Sequence, residues 1–259
     1  MRVLCVGDVC SPEGCAAAIR ILPALKREYS IDFTVVNGEN SAEGNGITPE
    51  SADMLFSAGA DIITGGNHSL RRKEIYEVLD SNRCILRPDN INSEYGSGYI
   101  LCDMGKYSVA VINLSGQVYL ERVGAENALA AAENLVQRAK SENARFILVD
   151  FHAEATSEKR AMGFFLDGKV SAVFGTHTHV QTADEQILPG GTGYITDLGM
   201  TGVIDSILGV EKQIIINRLR SGGSEKFLQA HGKCMLNGCI FELDDNTGLT
   251  KTVKRIYRE

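Results

Sequence analysis

The sequence predicts an α/β layered domain. Short apolar runs alternate with helical stretches along most of the chain, as they do when sheet and helix layers stack. Those runs lack a clean apolar/polar alternation, which implies sheets covered on both faces. Run after run also closes on a cluster of Gly, Asn, Asp or His.

RVLCVGD at 2–8 reads as the first strand, and 13–28 as a helix. DFTVVNGEN at 32–40 is the next strand and runs into Gly and Asn. Pro49 suits the first residue of a helix, with Thr48 as its N-cap. ADIITGGNH at 60–68 is a third strand, and 72–80 is helical. Residues 84–113 read as several short strands with turn signals at Pro88–Asn92 and Gly105–Lys106. Residues 125–140 form an amphipathic helix with Leu129, Ala132, Val136 and Ala139 three or four apart. ARFILVDFHAE at 144–154 and KVSAVFGTHTH at 169–179 are strands with a helix at 156–167 between them, and GTGYITDLGM at 191–200 is a further strand. The stretch 205–232 is irregular and reads as a surface excursion. From 233 onward two apolar segments flank Asn-Thr-Gly, a terminal β-hairpin. No repeat or long linker divides the chain, so 1–259 is read as a single domain.

Composition narrows the function. With 26 Lys and Arg against 33 Asp and Glu in 259 residues, the net charge is −7. That balance argues against a nucleic-acid coat or an anionic-membrane binder, which need a basic face, but leaves room for a local basic pocket. Hydrophobic residues at 44% exclude disorder as the main state. The seven cysteines are odd in number and include no CxxC, which argues against a four-thiolate zinc site and a disulfide framework. They read as reduced, mostly buried small hydrophobes. Asp8 interrupts the first apolar run too early for a signal-peptide core, and no run approaches the ~20 apolar residues of a membrane span. The expectation is a cytoplasmic protein without a membrane partner.

The strand ends carry the chemistry. Asp8, Glu39 with Asn40, Asn67 with His68, His152, and His177 with His179 close five predicted strands, and four of the five histidines fall among them; His231 stands apart. In open α/β sheets, ligands gather at the carboxyl ends of strands. Carboxylate, amide oxygen and imidazole together suit a first-row divalent cation. Seven candidate ligands among these groups exceed one tetrahedral site and suit two metals sharing a bridging carboxylate, an arrangement that activates water for in-line displacement at phosphorus. His-Thr-His on one strand would send both imidazoles to the same face. Taken singly, Asp8 and Asn67 are ordinary turn residues and His152 an ordinary core histidine; their coincidence at five strand ends is what points to a site.

Gly-Asp-Val at 7–9, Asn-Gly-Glu-Asn at 37–40, Gly-Gly-Asn-His at 65–68, Asp-Phe-His-Ala-Glu at 150–154 and Gly-Thr-His-Thr-His at 175–179 resemble the calcineurin-like metallophosphoesterases. Their order and spacing are most similar to the YmdB-like branch, phosphodiesterases acting on 2′,3′-cyclic nucleotides. The resemblance implies a layered metallophosphoesterase-type β-sheet sandwich flanked by helices, with a small cap-like insert expected at about 84–113. It implies Asp8, Asn40 and His179 around a first metal, Asn67, His152 and His177 around a second, and Glu39 bridging them. His68 would sit beside the phosphate as proton donor or charge stabiliser. Two divalent ions are expected, iron or manganese or both, with zinc compatible. The substrate would be a small nucleotide phosphodiester, attacked by a metal-bridging hydroxide; RNA ends and a homo-oligomer are further candidate partners. The wider superfamily opens on Asp-x-His, where this chain has Cys10, and bridges with Asp, where it has Glu39. Cys10 could offer a thiolate, although Asn40 already offers an oxygen.

Competing readings find less support. Gly163–Val170 nearly matches a P-loop but lacks the Ser/Thr and precedes a strand. No GxGxxG opens a helix and no GxSxG elbow occurs. A metal-dependent amidohydrolase would place its HxH on the first barrel strand, whereas here it comes last. A regulatory protein sensing a nucleotide or RNA end would have no need of His68. The roles of Arg71, Arg72 and Lys73, a solvated helix start or a source of charge near phosphate, stay open, as they do for Lys159 and Arg160. Asn113 either points toward the site or starts a turn.

Overall fold

The structure is a computed structural model that describes residues 1–120 and 123–259. In chain order the elements are β1 (Arg2–Val6), β2 (Asp8–Val9), α1 (Ser11–Tyr29), β3 (Phe33–Asn37), α2 (Pro49–Ala58) and β4 (Ile62–Thr64). A 3-10 turn at Lys73–Ile75 leads into α3 (Tyr76–Ser81), followed by β5 (Tyr99–Asp103), β6 (Ser108–Ser115), α4 (Ala128–Ser141), β7 (Phe146–His152) and α5 (Thr156–Leu166). The chain continues through β8 (Ala172–Thr176), β9 (Gln186–Ile187), β10 (Gly193–Ile195), β11 (Met200–Val203), α6 (Lys212–Ser221), β12 (Cys234–Leu243) and β13 (Thr250–Arg258).

Two sheets form. One has seven strands, ordered β2-β11-β12-β1-β3-β4 with β13 paired to β12; the other has six, ordered β5-β6-β7-β8-β10-β9. Strands β1, β3 and β4 run parallel, as do β6, β7, β8 and β10. Alternation along each strand sorts its side chains between two cores. Val3, Cys5, Phe33, Val35 and Ile62 of the first sheet meet Val109, Val111, Phe146, Leu148, Ala172 and Phe174 of the second in the space between the sheets. The opposite faces pack on helices, the first sheet on residues of α1 and α2 and the second on α4 and α5. The result is a helix–sheet–sheet–helix sandwich. Phe33, Phe146, Phe174 and Phe241 lie within the inter-sheet layer at 1% exposure or less. Each such burial stabilises by roughly 1.5–3 kcal/mol.

Local signals account for the helix ends. Thr48 Oγ1 accepts from Ser51 N, Ser51 Oγ accepts from Thr48 N, and Pro49 opens α2, a reciprocal cap. Asn127 caps α4 by accepting from Ala130 N. The stripe of α4 differs from the expected one: Leu129 is exposed, and Ala128, Ala132, Leu135, Val136 and Ala139 face the sheet.

Within the stretch at 84–113, the strands from Tyr99 onward belong to the second sheet as β5 and β6, where β6 pairs in parallel with β7 over Val109–Ser115. The cause is the apolar run of β6, buried on both faces from Val109 onward, which only an inner strand position satisfies. Other expectations need correction. The single strand read at 191–200 is two, β10 and β11, which belong to different sheets. The excursion at 205–232 contains α6, a helix with Ile214 as its one buried residue. All seven cysteines are free thiols. No helix among the described residues is long and apolar enough to cross a membrane.

Candidate metal centre

The same alternation that builds the inter-sheet core changes chemistry at the carboxyl ends of the strands. Stepping two residues from Val35 reaches Asn37, from Ile62 Thr64, from Val111 Asn113, from Phe174 Thr176, and from Leu148 first Asp150 and then His152. All of these polar residues are buried. Parallel strands place their ends together, so a polar floor forms over the apolar layer.

Above that floor the loops bring the expected residues into one cluster. Glu39 is at its centre, 1% exposed. Its Oε1 lies 3.3 Å from His152 Nε2 and 3.4 Å from His68 Nδ1, and accepts from Asn40 Nδ2 at 2.9 Å. Its Oε2 accepts from His68 N at 2.9 Å. Asn67 Oδ1 lies 2.8 Å from His152 Nε2, and His177 Nδ1 lies 3.0 Å from the same nitrogen. On the other side, Asp8 Oδ1 faces His179 Nε2 at 3.7 Å, and His179 Nε2 lies 3.3 Å from Asn40 Nδ2. Asp8 Oδ2 accepts from His177 N at 3.1 Å, tying the two halves together. His231 lies elsewhere, exposed and paired with Glu13.

Partners behind each imidazole fix which nitrogen points inward. His152 Nδ1 is 2.9 Å from Thr176 Oγ1, which donates to Asp150 Oδ1 at 2.7 Å. Asp150 Oδ2 accepts from Thr64 Oγ1 at 2.5 Å and Asn37 Nδ2 at 3.1 Å. His177 Nε2 lies 2.9 Å from Glu154 Oε2, and His179 Nδ1 lies 3.2 Å from the Leu208 carbonyl. Cys10 Sγ sits 3.6 Å from His179 Nδ1 and 3.9 Å from its Nε2, and donates to the Asp8 carbonyl at 3.5 Å. His152 Nε2, His177 Nδ1 and His179 Nε2 are therefore the inward atoms.

His177 and His179 are not on a strand, contrary to the His-Thr-His reading. β8 ends at Thr176, and both histidines have positive φ, 106° and 64°. Non-glycine residues hold such backbone only when their surroundings enforce it. The enforcing group here is a buried ion pair. Lys159 Nζ donates to Asp197 Oδ2 at 2.5 Å and to the Thr176 carbonyl at 2.6 Å. Asp197 Oδ2 also accepts from Thr178 N at 3.1 Å and its Oδ1 from Gly199 N at 2.8 Å. Lys159 is thus neither solvated nor available to a ligand, and Arg160 stacks over Phe164 and Tyr194. Asn113 holds the loop from beneath, accepting from Gly65 N at 2.9 Å.

The electrostatics match a cation site. Asp8, Glu39 and Asp150 are buried carboxylates, and the one buried lysine nearby is committed to Asp197. Buried charges of this kind are paired or coordinate metals. Asp8 Oδ1 is buried with no hydrogen-bond partner among the described residues. Burial raises the Asp8 carboxyl against the pull of His179 and His152. Burial also raises Glu39, but His152 and His68 outweigh it and hold that carboxyl well below the usual range. Burial, with His152 adding to it, pushes His177 down to about 3, so it is a neutral imidazole, the form that ligates metal, near pH 7. Glu39, His152 and His177 offer ligand atoms that all lie within 4.8 Å of one another. Oxygen and imidazole donors in this mixture fit first-row divalent ions.

The sequence reading missed Asp150, Glu154, Asp197 and the Lys159 pairing. Two of these were visible in the 150–154 motif, because Asp150 is two residues from His152 and so shares its face of β7.

The chain is similar to known proteins over nearly its whole length. A Bacillus subtilis (strain 168) protein named 2′,3′-cyclic-nucleotide 2′-phosphodiesterase is 42% identical over 257 residues, covering 99% of this chain and 96% of its own. The crystal structure of a Mycoplasma pneumoniae protein described as a novel phosphatase superposes with a TM-score of 0.94 at 32% identity, covering 100% of this chain and 93% of that one. A hypothetical protein from Thermus thermophilus superposes at 0.91 with 35% identity, covering 100% and 99%. The family model described as YmdB-like protein matches residues 4–256. A match across that span, carried by a relative of equal reach, establishes that the chain belongs to the YmdB-like family.

Proposed function

We propose that this chain is a phosphodiesterase that works with two divalent cations, iron or manganese, on small nucleotides, 2′,3′-cyclic nucleotides above all. The observation that carries the reading is the convergence of six donor side chains on Glu39, with His68 at the rim. Asp8, His179 and Asn40 would hold one cation, and Asn67, His152 and His177 the other, with Glu39 between them. Asn40 presents its amide nitrogen to His179 and its oxygen to His68 Nδ1 at 3.2 Å, so ligation through oxygen calls for that amide turned over. When bound, such a pair of cations acidifies water and neutralises charge on the phosphoryl oxygens. The chain's own groups do the rest. Thr176, Glu154 and the Leu208 carbonyl keep the three imidazoles aimed inward. His68 is partly exposed, and its ring, when protonated, can donate to the departing alkoxide. The name of the Bacillus subtilis relative, a 2′,3′-cyclic-nucleotide 2′-phosphodiesterase, supports the cyclic-nucleotide assignment, and the whole chain, acting as one unit in the cytoplasm, is read as the enzyme. The placement of His68 beside the ligands favours catalysis over a sensor role.

The test uses adenosine 2′,3′-cyclic phosphate and bis-p-nitrophenyl phosphate with protein stripped by chelator and then reloaded with manganese or iron. Turnover should vanish on stripping and return on loading. His68→Ala should lose roughly 10²–10⁴-fold in kcat with metal content unchanged, and Glu39→Ala should lose the metals as well. Undiminished turnover by protein that elemental analysis shows to be metal-free would falsify the proposal.

A further inference from the structure

A cavity of about 390 Å³ opens directly beside the centre, with Asn67 and His68 in its wall. That volume falls within the range of small-ligand pockets, ~300–1,000 Å³. Leu70, Pro88, Ile91 and Val123 give it an apolar lining, and Arg71 and Arg87 give it two guanidinium groups.

The two arginines differ in what they have left to offer. Arg87 is 7% exposed and spends its donors on the backbone: Nε on the Tyr95 carbonyl at 2.6 Å, Nη1 on Pro88 and Ile91 at 2.8 Å each, and Nη2 on Ser93 and Gly96 at 3.2 and 3.3 Å. It is the peg that shapes the 87–97 loop into a wall. Arg72, the next residue of the basic run, lies outside the cavity and is likewise spent on the carbonyls of Asn45 and Glu43. Arg71 is exposed, lines the cavity, and its guanidinium makes no hydrogen bond or ion pair among the described residues. Of the three basic residues that follow His68, Arg71 is therefore the one built into the cavity with its donors unspent.

We infer that this cavity is the nucleobase subsite of the centre, and that Arg71 is its specificity-determining residue. The inference rests on the phosphodiesterase reading and extends it to the part of the substrate remote from phosphorus. A base is a flat apolar body with acceptors at its edge. Leu70, Pro88, Ile91 and Val123 can cover its faces, and a free guanidinium can stack on it or donate to its edge. His68 lines both the centre and the cavity, so a phosphate at the centre would leave its nucleoside at the cavity mouth.

The test reads binding as well as turnover. Calorimetric titration compares adenosine 3′-monophosphate with inorganic phosphate, on wild-type protein and on Arg71→Ala, a substitution at an exposed position. The wild type should bind the nucleotide roughly tenfold more tightly than phosphate, in line with the worth of an arginine–aromatic contact. Arg71→Ala should erase most of that difference and raise KM for adenosine 2′,3′-cyclic phosphate by a similar factor, while Arg71→Lys recovers part of it. Equal wild-type affinity for the two probes, or an Arg71→Ala loss shared equally by inorganic phosphate, would overturn the subsite. Absence of turnover by the metal-loaded wild type would count against the phosphodiesterase reading, and the binding preference would still decide the subsite.

Discussion

At the scale of single residues, the centre depends on atoms that are missing as much as on those present. A Cβ on Gly66 would fall well inside contact distance of both Glu39 Oε2 and His152 Nε2. Both are inward-facing atoms in a buried cluster, so neither can move without leaving its partners. A Cβ on Gly7 would overlap the Gly199 carbonyl, where backbone meets backbone between Asp8 and the turn after Asp197. Gly66→Ala is the more informative change because it pushes on two donors at once and leaves the hydrophobic layers alone. The variant should keep its far-ultraviolet circular dichroism and lose at least half of its metal by elemental analysis, with activity falling in step. A variant that retains full metal would show that the cluster tolerates expansion there. The site was legible at this scale because Gly-Gly and Gly-Glu preceding a ligand-type residue say that backbone approaches something closely.

At the scale of elements, strand alternation explains both what the sequence showed and what it concealed. The strand ends were visible because each apolar run stops at a polar group. The turn after β8 was not, since Gly-Thr-His-Thr-His continues an alternating pattern past the point where pairing stops. What bends it is Asp197, whose carboxylate takes the Thr178 N–H, and Lys159, whose ammonium takes the Thr176 carbonyl. Nothing local to 175–179 announces partners 17 and 19 residues away in sequence, Lys159 from Thr176 and Asp197 from Thr178. The role of β6 was concealed in the same way, because parallel pairing with β7 is made across an intervening helix. Lys159 thus makes α5 a positioning element for the turn. Lys159→Met should leave Asp197 buried and unpaired and cost about 3–5 kcal/mol, the typical penalty for breaking such a pair. Lys159→Met/Asp197→Asn, which removes both charges, should recover part of that in urea unfolding. Metal affinity separates positioning from stability: the double variant should bind manganese more weakly than wild type under conditions where both are fully folded. Equal affinity would remove Lys159 from the site's support.

At the scale of the whole molecule, two sheets that share an apolar layer converge on a cluster whose carboxylates lack a full set of cationic partners. Asp8, Glu39 and Asp150 come from opposite sides of the inter-sheet space, β2 and the loop after β3 on one side and β7 on the other. A cation held among such groups joins the sheets, and its loss leaves like charges facing each other at the top of the sandwich. Metal binding should then register as global stability. Ligand at ~100 times its Kd stabilises a folded protein by about 2.7 kcal/mol per site, and in a chain of this size each kcal/mol shifts Tm by roughly 2–4 °C. Manganese at that excess should raise the calorimetric Tm by at least about 5 °C over chelator-treated protein. Glu39→Ala should lose most of the shift because it removes the carboxylate common to both halves, whereas Arg71→Ala, which touches the cavity and not the donors, should keep it. A Tm indifferent to chelator in the wild type would mean that the two sheets are held by the Val3, Phe33, Phe146 and Phe174 layer alone, and that the donor cluster carries no cation at equilibrium.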